Sequence, residues 1–162
     1  MVQAEDKLPP VPAQRFLRRL STTSASKTSA QLALRIFVSH SSKENDFGHK
    51  LVQDLRHTFG NDDIVWYDTA GGLYGGDSWW SRIVQELSAY STFIIVLSPD
   101  SMNSHWVLTE LDIAVTQRKR IIPVLSRRCE VRADLLAIQF VSFLEPKPYN
   151  AAFDELLQAL KR

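Results

Sequence analysis

From residue 34 onward the apolar positions switch between two rhythms. Residues 34–39 (LRIFVS) are a short apolar run with β-branched and aromatic side chains, which predicts a buried strand. Phe47, Leu51, Leu55 and Phe59 then fall four apart, one stripe of an amphipathic helix over residues 44–59 that Gly60-Asn61 ends. Residues 63–68 (DIVWYD) predict a second strand, followed by a loop that holds Gly71, Gly72, Gly75 and Gly76. Asp77 or Ser78 can cap the next helix, which buries Trp80, Ile83, Val84 and Leu87. Residues 92–98 (TFIIVLS) predict a third strand, apolar throughout, and residues 99–103 a turn or short helix. Ser104 caps a helix running to about Arg118. Arg120–Leu125 (RIIPVL) is a fourth strand, whose Pro123 lacks a ladder donor and implies a bulge or pairing on one side only. Residues 134–137 predict a helical turn and residues 140–144 a fifth strand. Tyr149–Lys161 closes the chain with a helix that turns Phe153, Leu156, Leu157 and Leu160 inward.

Strands apolar on both faces, alternating with amphipathic helices, imply a parallel sheet covered on both sides. Right-handed crossovers then give an α/β fold, a flavodoxin-like doubly wound sheet of five parallel strands with helices on both faces. Ligands on such sheets bind outside the carboxyl ends of the strands. That directs attention to Ser39-His40-Ser41-Ser42, to Asp68 with the glycine loop, to Ser98, and to the start of the helix after it.

Residues 1–31 break this pattern. They hold Pro9, Pro10 and Pro12, a run rich in Ser and Thr, one aromatic residue (Phe16), and five basic residues against Glu5 and Asp6. Such a stretch buries too little apolar surface to offset its ordering entropy, so it reads as a flexible tail or linker ahead of a domain at residues 32–162. A tail of this kind, with a chain end at Arg162 just after the last helix, is what a piece of a longer protein would show.

Composition narrows the function. The chain has 162 residues, 44% of them hydrophobic, enough for one buried core. Nineteen Lys and Arg oppose eighteen Asp and Glu, a net charge of +1, which argues against direct binding to nucleic acid or to an anionic membrane through overall charge. The longest apolar runs are far short of a membrane span. A single cysteine, Cys129, forms no internal disulfide and fits a reducing compartment, the cytoplasm. No phosphate-binding GxxxxGK[ST], no dinucleotide GxGxxG and no serine-hydrolase GxSxG occurs. His40, His49, His57 and His105 form no HxxxH or HxH pair, so no metal site is expected. A receiver domain would need an acidic cluster where the first strand ends in Ser39-His40 and the third in Ser98-Pro99.

One local signal remains, Trp106-Val107-Leu108-Thr109-Glu110. Trp106 and Glu110 lie four apart and share a helix face, beside the apolar Val107, Leu111 and Ala114. A carboxylate there is expensive unless it is hydrogen-bonded or used in chemistry. Spacing alone favours the plainer alternative, a glutamate at the edge of the face that reaches solvent or pairs with Arg118 or Lys119.

Taken in order, several segments resemble the Toll/interleukin-receptor (TIR) domain, particularly its bacterial soluble form. Arg35-Ile36-Phe37-Val38-Ser39-His40-Ser41-Ser42 is similar to the family's opening box, hFhSHsS. Trp66-Tyr67-Asp68 leads into a glycine loop that ends in Gly76-Asp77-Ser78-Trp79, similar to the BB loop and its closing G-x-x-W. Val96-Leu97-Ser98-Pro99 and then Ser104-His105-Trp106-Val107-Leu108-Thr109-Glu110-Leu111 resemble the third strand and the S-x-W-x-x-x-E-h box. The resemblance covers roughly four-fifths of the chain.

The resemblance implies an NAD+ nucleosidase, with Glu110 as the catalytic residue. NAD is then a substrate and no resident cofactor or metal is implied. Nicotinamide leaves NAD as a neutral molecule, so a single carboxylate suffices where ordinary glycosidases need an acid as well. An ionised Glu110 stabilises the ribosyl oxocarbenium-like transition state, and attack by water or by the substrate's own adenine gives ADP-ribose or a cyclic ADP-ribose. Ser39, His40 and Ser41 are placed to bind ribose or diphosphate, Tyr74 and Trp79 to stack on a ring, and Gly76 and Asp68 to shape the BB loop and its entry. Trp106 either walls the pocket or packs in the core. Where some catalytic relatives carry arginine after the first strand, this chain has Ser41-Ser42-Lys43. Self-association through TIR–TIR contacts, in signalling or defence, is the implied partner behaviour. Two other readings stay open: a noncatalytic TIR interaction module, and an enzyme resembling the nucleoside deoxyribosyltransferases.

Overall fold

The computed structural model describes residues 34–67 and 77–162. Residues 1–33 and 68–76, and with them the tail and most of the glycine loop, lie outside the described residues.

Among the described residues five strands form one parallel sheet in the order β2-β1-β3-β4-β5: β1 (Ile36–Ser39), β2 (Val65–Tyr67), β3 (Thr92–Leu97), β4 (Arg120–Leu125) and β5 (Val141–Ser142). This is the flavodoxin-like order, with its topological switch point between β1 and β3. The helices are α1 (Asn45–Phe59), α2 (Asp77–Ala89), α3 (Pro99–Met102), α4 (His105–Thr116) and α5 (Tyr149–Lys161).

The period-2 alternation of the strands sorts the core into two halves. Ile36, Val38, Ile94, Val96, Ile122 and Val124 face one way and pack with Leu51, Val52 and Leu55 of α1 and with Leu156 and Leu160 of α5. Phe37, Phe93, Ile95 and Leu97 face the other way and pack with Ile83 and Leu87 of α2 and with Val107, Leu111 and Ala114 of α4. Both halves reach zero exposure at β1 and β3, the central pair.

Local chemistry sets the boundaries. Gly60 adopts φ +63°, and its N–H bonds the Arg56 and His57 carbonyls to end α1. Ser98 and Ser101 form a reciprocal capping box at α3. Ser104 caps α4, its Oγ accepting from the Val107 N–H. The helix ends at Thr116, slightly before the predicted Arg118, because Arg118 turns to φ +54°. At Pro123, β4 pairs with β3 alone, since β5 joins only at Val124 and Leu125; this is the one-sided pairing that the proline implied.

Two strands are shorter than their apolar runs. Residues 62–64 wind into a single tight turn, capped by Asn61 accepting from the Asp63 N–H, so β2 begins only at Val65. Within residues 140–144, only Val141 and Ser142 find ladder partners on β4. No described helix is long and apolar enough to cross a membrane.

Candidate active site

Three consecutive members of the sheet, β1, β3 and β4, end at or just before a serine: Ser39, Ser98 and Ser126. Alternation decides which way each points. Ser39 follows the phase of Phe37 and faces α4, whereas Ser98 and Ser126 follow Val96 and Val124 and face α1.

On the α4 face, Glu110 stands in the buried stripe itself, at i+3 from Val107 and i−4 from Ala114. Its side chain is only 4% exposed, so the expectation of a glutamate reaching solvent does not hold. The hydroxyl of Ser39, 1% exposed, donates to Glu110 Oε2 at 2.5 Å. Lys119 does not serve as a partner to Glu110 as the plainer alternative had it; its ammonium donates to the Ser88 and Tyr90 carbonyls and holds down the end of α2. Burial lowers the Lys119 pKa. Trp106, four residues before Glu110, is half-buried against the same cluster.

The other residues of the β1 exit have local roles. His40 is half-buried, with Nε2 3.3 Å from Asn45 Oδ1. Ser41 is buried, and its Oγ accepts from the Lys43 N–H to cap the single turn at residues 42–44. Asp68, Tyr74 and Gly76 lie outside the described residues, as does the side chain of Trp79, whose backbone belongs to the first turn of α2.

On the α1 face stands a second buried carboxylate, one outside the residues predicted for the site. Glu44 is 8% exposed and accepts from Ser98 Oγ at 2.5 Å, from Ser126 Oγ at 2.9 Å and from Arg127 Nε at 3.1 Å. Arg127 also pairs with Asp100, and Lys43 lies 3.5 Å from the same Asp100. The hydrogen bond from Arg127 holds the Asp100 carboxyl below its ordinary range, and the two acids raise the guanidinium pKa in return. Burial pushes the nearby Cys129 thiol up. An open cleft runs over this cluster, lined by Lys43, Asn45, Phe47, Asp100 and Arg127 among others. The signal that points to it is a serine directly after β3 and another directly after β4, together with the Ser41-x-x-Glu44 spacing at the exit of β1.

The switch point is thus flanked by two buried carboxylates, each held by a strand-end serine, one on each face of the sheet. Among the described residues no group of three His, Cys, Asp or Glu gathers as a metal site. A buried, hydrogen-bonded carboxylate can stabilise a positive charge far better than an exposed one, because water does not screen it.

A family model described as TIR domain matches residues 36–157. Among solved structures, the chain is similar to the TIR domain of the Toll-related receptor TRR-2 from Hydra magnipapillata, at 16% identity and a TM-score of 0.64. That alignment covers 78% of this chain and 98% of the other. It is also similar to the RPS4 and RRS1 TIR domain heterodimer, at 13% identity and a TM-score of 0.57, over 78% of this chain and 95% of that one. No curated protein matches.

Proposed function

The chain belongs to the TIR-domain family, and from that premise we propose that it cleaves NAD at the nicotinamide–ribose bond, with Glu110 as the carboxylate that carries the chemistry. The observation that supports this reading is the placing of Glu110: a carboxylate buried in the apolar stripe of α4, held by a hydroxyl at the end of β1, beside the switch point where doubly wound sheets bind ligands.

The chemistry follows from the leaving group. As the glycosidic bond lengthens, the pyridinium takes the bonding pair and departs as neutral nicotinamide, so no proton need be delivered to it. Positive charge collects on the ribose C1 and ring oxygen. Glu110 faces that charge in a low-dielectric setting, and the Ser39 hydroxyl fixes its carboxylate plane before the substrate arrives. Water then completes hydrolysis to ADP-ribose, or the adenine of the same molecule closes a ring. His40 and Ser41 at the exit of β1, Asp68, Tyr74 and Gly76 of the glycine loop, and Trp79 and Trp106 complete the proposed substrate-binding set.

The test is nicotinamide release by purified protein and by Glu110→Gln. The amide oxygen of Gln can still accept from Ser39, so the fold is expected to survive while turnover is lost. A folded Glu110→Gln protein working within a fewfold of wild type would falsify the assignment.

One finding favours a second reading, an interaction module that works by TIR–TIR contact without chemistry: a solved structure similar to this chain is a heterodimer of two TIR domains. A wild-type chain that associates in light scattering, yet releases no nicotinamide at any concentration, would select it. The two readings combine if association raises the activity of the catalytic site.

A further inference from the structure

The exit of β1, residues 39–44, is anchored at both ends by buried side chains on opposite faces of the sheet. At its start, Ser39 donates to Glu110 on α4. At its end, Glu44 accepts three hydrogen bonds, from Ser98 after β3 and from Ser126 and Arg127 after β4. Between the anchors, the Glu44 N–H bonds the Ser41 carbonyl at 2.9 Å and the Lys43 N–H bonds Ser41 Oγ at 3.3 Å. Residues 41–44 form one tight turn, and only His40 lies between it and Ser39.

We propose that Glu44, with Arg127 behind it, is a positioning residue for the Glu110 site: it ties the ends of β1, β3 and β4 together and so fixes where the Ser39 hydroxyl holds the Glu110 carboxylate. The proposal rests on the NAD-cleaving reading. Glu44 is buried while Arg127 is half-exposed, so the pair adds little through charge alone, yet two serine hydroxyls and the guanidinium converge on this one carboxylate. What the three converging donors supply is a fixed position. Placement matters in a site of this kind, where a shift of about 1 Å can cost on the order of a hundredfold in rate.

The experiment uses the whole chain, with Glu44→Gln and Arg127→Gln made both in wild type and in Ser39→Ala. Arg127 is half-exposed, so its variant carries the test if Glu44→Gln fails to fold. Nicotinamide release gives kcat and KM, and amide hydrogen exchange reports on residues 39–44. In the wild-type background kcat is expected to fall about tenfold or more, with KM within about twofold, and the Lys43 and Glu44 amides exchange faster. In Ser39→Ala the same changes cost little further, because the link through which they act is already cut. Unchanged kcat in folded variants, or an equal loss in both backgrounds, overturns the proposal. A raised KM with unchanged kcat also overturns it, by placing these residues against substrate instead. If wild type releases no nicotinamide, the NAD reading falls, and exchange decides the anchor separately. Faster exchange at residues 39–44 in the variants keeps the anchor as a property of the fold, and unchanged exchange removes it.

Discussion

At the scale of single residues, the bond from Ser39 to Glu110 is the contact on which most depends. Ser39→Ala removes the Ser39 donor from a buried carboxylate, at a cost of about 1–3 kcal/mol of stability, read as a lower urea midpoint with an unchanged slope. Activity is expected to fall with it, through kcat more than KM. The two losses separate Ser39 from Glu110, where Gln spares the fold. The partners of neither anchor of the β1 exit could be read from the sequence. Ser39 and Glu110 are 71 residues apart, and Glu44 meets partners 54, 82 and 83 residues away. Periodicity put Glu110 on or beside the apolar face, but only the phase of Ser39 on β1 decides that a hydroxyl awaits it there.

At the scale of elements, the legible parts are those whose signals are local. The closing helix is observed over Tyr149–Lys161 as its spacing predicts, and β4 over Arg120–Leu125 likewise. β5 fell short of its apolar run because the length of a strand is set by its ladder partners, which a run of side chains does not encode, and β2 because the Asn61-capped turn takes up residues 62–64. The caps offer direct tests. Ser104→Ala strips the side-chain cap from α4 and should cost about 1 kcal/mol, measured by denaturant unfolding. Because α4 carries Glu110 only two turns further on, fraying at its start is expected to reduce the proposed NAD cleavage more than a capping loss of equal size elsewhere. Gly60→Ala is the comparison: nothing obstructs a Cβ there, yet φ +63° penalises one by about 1 kcal/mol. A larger loss of activity from Ser104→Ala than from Gly60→Ala, at matched stability, is the expected result.

At the scale of the whole molecule, pH reads out the charge design. The Tyr149 hydroxyl donates to Asp54 at 2.8 Å, with the Lys50 ammonium over its ring, and joins the outer faces of α5 and α1. Burial and the Asp54 bond raise the Tyr149 pKa above its ordinary value of 10.0. A phenol raised on folding stabilises the fold below its unfolded pKa and ceases to do so as pH rises above about 10. The thermal midpoint should therefore drop in that range, and Tyr149→Phe should flatten the drop. Asp54, Asp100 and Asp134 are shifted the other way. Asp100 and Asp134 are lowered by hydrogen bonds from Arg127 and Arg132; at Asp54 burial pushes upward but the Lys50 and Tyr149 bonds outweigh it. Their contribution is present above about pH 4 and lost as the pH falls further. Association, proposed above, would act on this same body. The β5 edge bears on how. Only two of its residues pair with β4, so it offers almost no ladder on which another chain could lay a strand. Growth along that side must proceed through side chains, among them the large and exposed Phe140 just before β5. Assemblies that use this edge should dissolve on dilution and leave thioflavin T dark even as scattering rises.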